Sequence, residues 1–293
     1  MTELAALLKL CDDSSPAVAD KIARRLREIA DLAPQNDIWA LLEAQNLAVS
    51  ESQRAALDAV FAAPSLAPDE NDPEINSREA RLRAVWTTLR FEDDETAFLE
   101  TALLALCDWQ SGDGTGIRGR ELLDEIALEF GDFEPPDGAQ SSGDGSEAAA
   151  LAYFLFEWKK LRGAPPDDYY HPDQSNLTVA LESGHGLPIT LACIFILVGR
   201  RVGLSIQGCS FPGHFLARDG QTQRVFDPFN GGRALSPREV GALQRAAPDE
   251  MSEAAPAREI VARVLRNLSV AYYQSGESEK SALMLALLHS MDA

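Results

Sequence analysis

His214 and Asp227 are the two residues whose types and spacing best support chemistry. A histidine opening one strand and an aspartate closing the next, joined through an Asp219-Gly220 turn, come side by side in an antiparallel pair. An acid so placed orients the imidazole and selects its tautomer, as in a general base. Acyl transfer also needs a nucleophile. Cys209 lies on the strand leading to His214. Strict alternation puts the two on opposite faces, unless Pro212-Gly213 forms a bulge that reverses the order. Cys193, about 140° around an apolar helix from Pro188, is expected to face the core. Thr190 and Ser175 have no base beside them in the sequence. A purely structural role, in which His214 and Asp227 lock two strands together, stays open beside the chemical one.

Around this pair, Tyr169, Tyr170, Phe229 and Asn230, followed by Gly231-Gly232, suit an aromatic, glycine-edged groove for a peptide or small ligand. His171, Asp173, His185 and His214 fall in the same stretch, but their spacing matches no helix-borne metal motif. No metal and no cofactor are expected. The three glycines of Ser111–Gly116 are followed by no Lys-Ser/Thr pair, so this stretch is read as a turn.

The elements that must position these residues follow from periodicity and turn chemistry. Pro188 suits the first position of a strongly apolar helix over 187–202, which is too short to span a bilayer. A short helix over 177–182 precedes it, and strands over 205–211, 214–218 and 224–227 follow. Upstream, helices are expected over 77–90, 95–108, 118–129 and 147–161, with a loop over 165–176. Residues 3–60 read as helical, with a DDSSP turn like that of a HEAT repeat. Residues 63–76 read as a linker, 133–146 as a flexible connection, and 258 to the end as helical.

The stretches Gly186-Leu187-Pro188-Ile189-Thr190-Leu191-Ala192, Pro212-Gly213-His214-Phe215-Leu216 and Asp227-Pro228-Phe229-Asn230-Gly231-Gly232 stand in this order. At these residues the chain resembles the transglutaminase-like family, and within it the Sir-B-type, invasion-regulator-like branch. The resemblance extends over 95–290 and includes a tetratricopeptide-like helix pair spaced by Asn267, Tyr272, Gly276 and Leu283. It implies an α+β, mostly α, chain in which a papain-like core, a helix on a small antiparallel sheet, carries helical extensions at both ends. It also implies a catalytic Cys at the helix start, with His214 as base and Asp227 as acid. That start matches at Pro188, which has no nucleophile. His185 takes the place of a basic residue usual before the glycine.

The chain has 293 residues with 26 basic and 46 acidic side chains, a net charge of −20. That balance disfavours nucleic acid and anionic membranes, which need clustered cations. Four scattered cysteines and a start without a secretory pattern lead us to expect a reduced, cytoplasmic protein. The expected division is a helical 1–90, a core over 91–245 and a helical pair over 246–293. The expected activity is binding of a protein or peptide partner without catalysis. The alternative is a hydrolase or acyltransferase that uses Cys209 or a water activated by His214.

Overall fold

A helix buried on all sides needs elements on all sides, and the helix Pro188–Arg201 has them. The computed structural model describes residues 73–134, 146–211, 214–246 and 254–291, with 42, 49–50 and 53–54 besides. The HEAT-like stretch, most of the 63–76 linker, residues 135–145 and Pro212-Gly213 lie outside the described residues. Residues 1–66 and 67–293 form two compact units, and the second holds everything below.

In chain order the second unit runs α1 (Pro73–Leu89), α2 (Glu95–Ser111), α3 (Thr115–Gly131) and α4 (Glu147–Ala152), which continues as a π-helical turn over Tyr153–Trp158. Then come β1 (Arg162–Gly163), 3-10 turns at Pro166–Asp168 and Pro172–Ser175, α5 (Leu177–Ser183), β2 (His185–Gly186) and α6 (Pro188–Arg201). Strands β3 (Ile206–Phe211), β4 (His214–Asp219), β5 (Val225–Asp227) and β6 (Arg233–Ala234) follow, then α7 (Pro237–Ala246), α8 (Ala257–Gln274) and α9 (Ser278–His289). This is the expected α+β, mostly helical architecture.

Pro188 opens α6 at a position whose N–H would be unused, and every residue from Pro188 to Gly199 is buried. The sheet, in order β3-β4-β5-β6 and antiparallel throughout, packs one face on α6. Phe195 of α6 meets Phe156 at 5.8 Å and Phe226 of β5 at 5.6 Å, both edge to face, so one aromatic ladder joins π-turn, helix and sheet. The opposite face of α6 meets α3 and α5. Helix α8 packs on α2 and against α9, and its first N–H is held by the Glu95 carboxylate of α2.

Several boundaries differ from expectation. The helix expected over 147–161 widens into a π-turn that brings Phe154, Leu155 and Phe156 all inward. The 165–176 loop contains two 3-10 turns. Helix α3 begins at Thr115 because the Asp108 carboxylate accepts the Gly116 N–H at 2.8 Å.

Arg201 fastens the end of α6. Its guanidinium takes both Glu100 oxygens of α2, at 2.9 and 3.0 Å, while its Nε reaches Asp124 of α3, and little of the side chain is exposed. Arg201→Ala is expected to cost about 1–2 kcal/mol in urea denaturation. Arg201→Lys should recover less than half of that, because a single ammonium cannot span both carboxylates.

Candidate functional site

His214 opens β4 and Asp227 closes β5. Ala217 pairs with Phe226 and Arg218 with Val225, which brings those two ends together. Phe215, Ala217 and Phe226 enter the main core beside α6. By alternation His214, Leu216, Val225 and Asp227 share the other face. There His214 Nε2 lies 3.2 Å from Asp227 Oδ2, with the imidazole 31% exposed and the carboxylate 5%. Asn230 completes the acid's shell, its Nδ2 donating to Oδ2 at 2.8 Å and its backbone N–H to Oδ1 at 3.2 Å. The Gly232 N–H closes the turn on the Asp227 carbonyl at 2.8 Å.

These contacts set the electrostatics. Burial pushes the Asp227 carboxyl up, but the hydrogen bonds from His214 and Asn230 outweigh it and hold the group below its usual range. The ionised acid accepts the Nε2–H, so in the neutral ring Nδ1 carries the lone pair. Among the described residues Nδ1 has no partner. The backbone is held as firmly. Arg263 of α8 donates to the His214 carbonyl at 3.0 Å and to Ser210 Oγ at 2.7 Å, and its guanidinium lies 5.4 Å from the Phe215 ring centroid. Nothing in the sequence around Arg263 signals this role.

The aromatic residues gather beside the pair. The Tyr169 ring stands edge-on to Phe229 at 6.0 Å and to Tyr170 at 5.2 Å. Tyr170 is 60% exposed. Burial and the neighbouring Tyr170 push the Tyr169 hydroxyl up, and Arg263 works against them. Phe229 lies flat on Gly163, where any Cβ would come within 2.5 Å of its ring, and the Phe229 carbonyl accepts the Gly163 N–H at 3.2 Å. Gly163 in turn pairs with Gly186 in the parallel β1–β2 ribbon, just before the start of α6. Pro188 there is buried, and the Leu187 N–H and Thr190 hydroxyl both donate to the Gln174 carbonyl, at 3.0 and 2.9 Å. Neither His185 nor Pro188 hydrogen-bonds the His214–Asp227 pair. The His185 ring is instead tied to the Ser183 carbonyl at 3.0 Å.

Cys209 requires a correction. The strand leading to His214 is no continuous run: β3 and β4 form a hairpin in which Phe211 faces His214 and Cys209 faces Leu216. Cross-strand neighbours share a face, so Cys209 lies on the same face as His214, two residue pairs further along. It is fully buried in a small cluster with Leu216 and Val225, covered by Val240 and Leu243 of α7, a helix the sequence reading did not place. Burial pushes its thiol up, with Arg218 opposing. Cys193 is buried in the core and pushed up to about 12, and burial also raises Cys107. Cys11 lies outside the described residues. Ser175 is buried, and the Thr190 hydroxyl is occupied by Gln174. His171 caps its own turn, accepting from the Asp173 N–H at 3.3 Å. Among the described residues no three His, Cys, Asp or Glu side chains gather as a metal site.

Residues 118–266 match the sequence profile of the transglutaminase-like superfamily, a span that contains the helix start, the hairpin and the acid-bearing turn. The chain belongs to the transglutaminase-like superfamily. A UPF0162 protein of Xylella fastidiosa (strain Temecula1) is 35% identical over 219 residues, covering 70% of this chain and 75% of its own. A UPF0162 protein of Pseudomonas aeruginosa is 29% identical over 163 residues, 53% of this chain and 57% of its own. F-box only protein 21 of Mus musculus is 29% identical over 100 residues, 31% of this chain and 16% of its own. No solved structure matches the chain. No helix among the described residues is long and apolar enough to cross a membrane.

Proposed function

We propose that this transglutaminase-like protein binds an extended segment of a protein partner on the surface that carries Tyr169, Tyr170, Phe229 and His214, without thiol acyl transfer. The observation that carries this reading is the start of α6, where buried Pro188 occupies the position at which the superfamily resemblance implies a cysteine. The described cysteines are all buried, with thiols pushed up rather than down, which is the reverse of an activated nucleophile. The exposed ring of Tyr170 and the half-buried Tyr169 and Phe229 offer rigid apolar contact, and Asn230 offers an amide at the rim. We place the protein in the Sir-B-type branch and in the cytoplasm. In this reading α8 and α9 are a tetratricopeptide-like arm flanking a core over 91–245, and the residues before 91 form a separate helical region.

A second reading rests on Nδ1 of His214, which has no partner among the described residues and whose tautomer suits a base that activates water. Assays of amide and ester hydrolysis and of glutamine deamidation separate the two. Turnover that disappears in His214→Ala would sink the binding-only reading. Absence of turnover, with peptides that bind the wild type and lose about tenfold or more in affinity in Tyr170→Ala, is the expected result. Thiol labelling adds an independent check. Cys107, Cys193 and Cys209 are expected to react with iodoacetamide only after denaturation, and a fast native reaction at Cys209 would point to a thiol enzyme.

A further inference from the structure

The β1–β2 ribbon has two ends with different chemistry. At one, Gly163 backs onto Phe229 while Gly186 meets Ala180 and Thr190; at the other, Arg162 pairs with His185 at the mouth of a separate cavity of about 460 Å³. Its apolar part is Ile126, Leu161 and Leu181. Its polar part is Lys159, Lys160, Arg162 and His185, with Glu182 and Ser183 also in the lining. The acids around it occupy only part of this charge. Lys159 pairs with Glu129 at 2.6 Å, Lys160 approaches Glu157 at 3.7 Å, and Glu182 lies 4.0 Å from Arg118. Exposed Arg162 has no acidic partner among the described residues; its Nε merely donates to the Lys160 carbonyl at 3.3 Å.

Lys160 supplies a second, independent observation. Its φ is +62°, a left-handed conformation that glycine adopts freely and lysine does not. Strained backbone of this kind recurs at ligand sites. The π-turn over Tyr153–Trp158 leads straight into it.

We propose that this cavity binds a small phosphate monoester, its phosphate held by Lys160 and Arg162 and its organic part resting on Leu161 and Leu181. A dianion with three free oxygens matches a guanidinium fork flanked by further donors, whereas a lone carboxylate needs only Arg162. The cavity is of the size that holds small molecules and exceeds that of a bare phosphate. The site is separate from the His214–Asp227 pair, neither of which lines it.

Titration calorimetry with glycerol 3-phosphate, inorganic phosphate and glycerol tests it. The wild type should bind glycerol 3-phosphate saturably with Kd below about 1 mM, inorganic phosphate more weakly and glycerol not at all. Arg162→Ala should weaken binding about tenfold or more. Lys160→Gly should do the same while raising Tm, which separates lost binding from lost folding. His214→Ala should bind as the wild type does. No saturable binding by the wild type, binding unchanged in both Arg162→Ala and Lys160→Gly, or equal affinity for inorganic phosphate and the ester would overturn the proposal.

Discussion

Gly232→Ala is expected to lower Tm by about 10 °C, while Gly231→Ala, one residue earlier, should lower it by only a few degrees. Both glycines are left-handed, at φ +67° and +76°, so each alanine pays a backbone cost of about 1–2 kcal/mol. Their surroundings differ. A Cβ at 232 runs into the ring of Phe156, which is buried and wedged against Phe195 in the aromatic ladder. Overpacking of that kind adds about 1–3 kcal/mol. A Cβ at 231 meets only Glu157 Oε1 at 3.2 Å, the far end of a flexible side chain that can move aside. The larger loss, about 2–5 kcal/mol, is a substantial share of a domain's usual stability of about 5–15 kcal/mol. Gly232 also closes the turn under Asp227, so the His214 imidazole resonances should shift in Gly232→Ala and stay in place in Gly231→Ala. Equal thermal losses for the two variants would show that the Phe156 contact does not decide the outcome.

Asp227→Ala should cost about 3 kcal/mol near neutral pH, because it strands the His214 Nε2–H and the Asn230 amide beside a buried site. Its pH dependence follows from the sign of the shift. The folded carboxyl titrates below its ordinary value of 3.8, so the unfolded chain binds the proton first on acidification. The stabilisation is therefore complete above that ordinary value and is lost as the pH falls through the folded one. Urea denaturation of wild type and Asp227→Ala at pH 7 and pH 3 should show a gap that narrows in acid. A gap that widened would mean that burial, not the His214 and Asn230 hydrogen bonds, governs this carboxylate.

The proximity of His214 and Asp227 was legible because it is local: two short strands, an Asp-Gly turn and a proline after the acid leave little choice of register. Helix α6 was legible for a similar reason, since an unbroken apolar run behind a first-turn proline is buried wherever it packs. Tyr169 and Tyr170 were grouped with Phe229 on residue type alone, and their contact depends on a chain reversal that periodicity does not encode. The face occupied by Cys209 was misread because alternation was counted along the chain from 209 to 214, whereas the antiparallel pairing of β3 with β4 fixes it.

By itself the amino-acid sequence determined the class of fold, the acid–imidazole pair and the proline at the head of the central helix, all set by interactions within a few residues or one turn. Tertiary structure alone decided that α7 seals Cys209 from solvent, that Arg263, 49 residues from His214, holds its backbone, and that a two-residue ribbon gathers Arg162 and His185 at one cavity. Each of these depends on which surfaces remain to be covered once the core has formed. That is a property of the packed chain and of no short stretch of it.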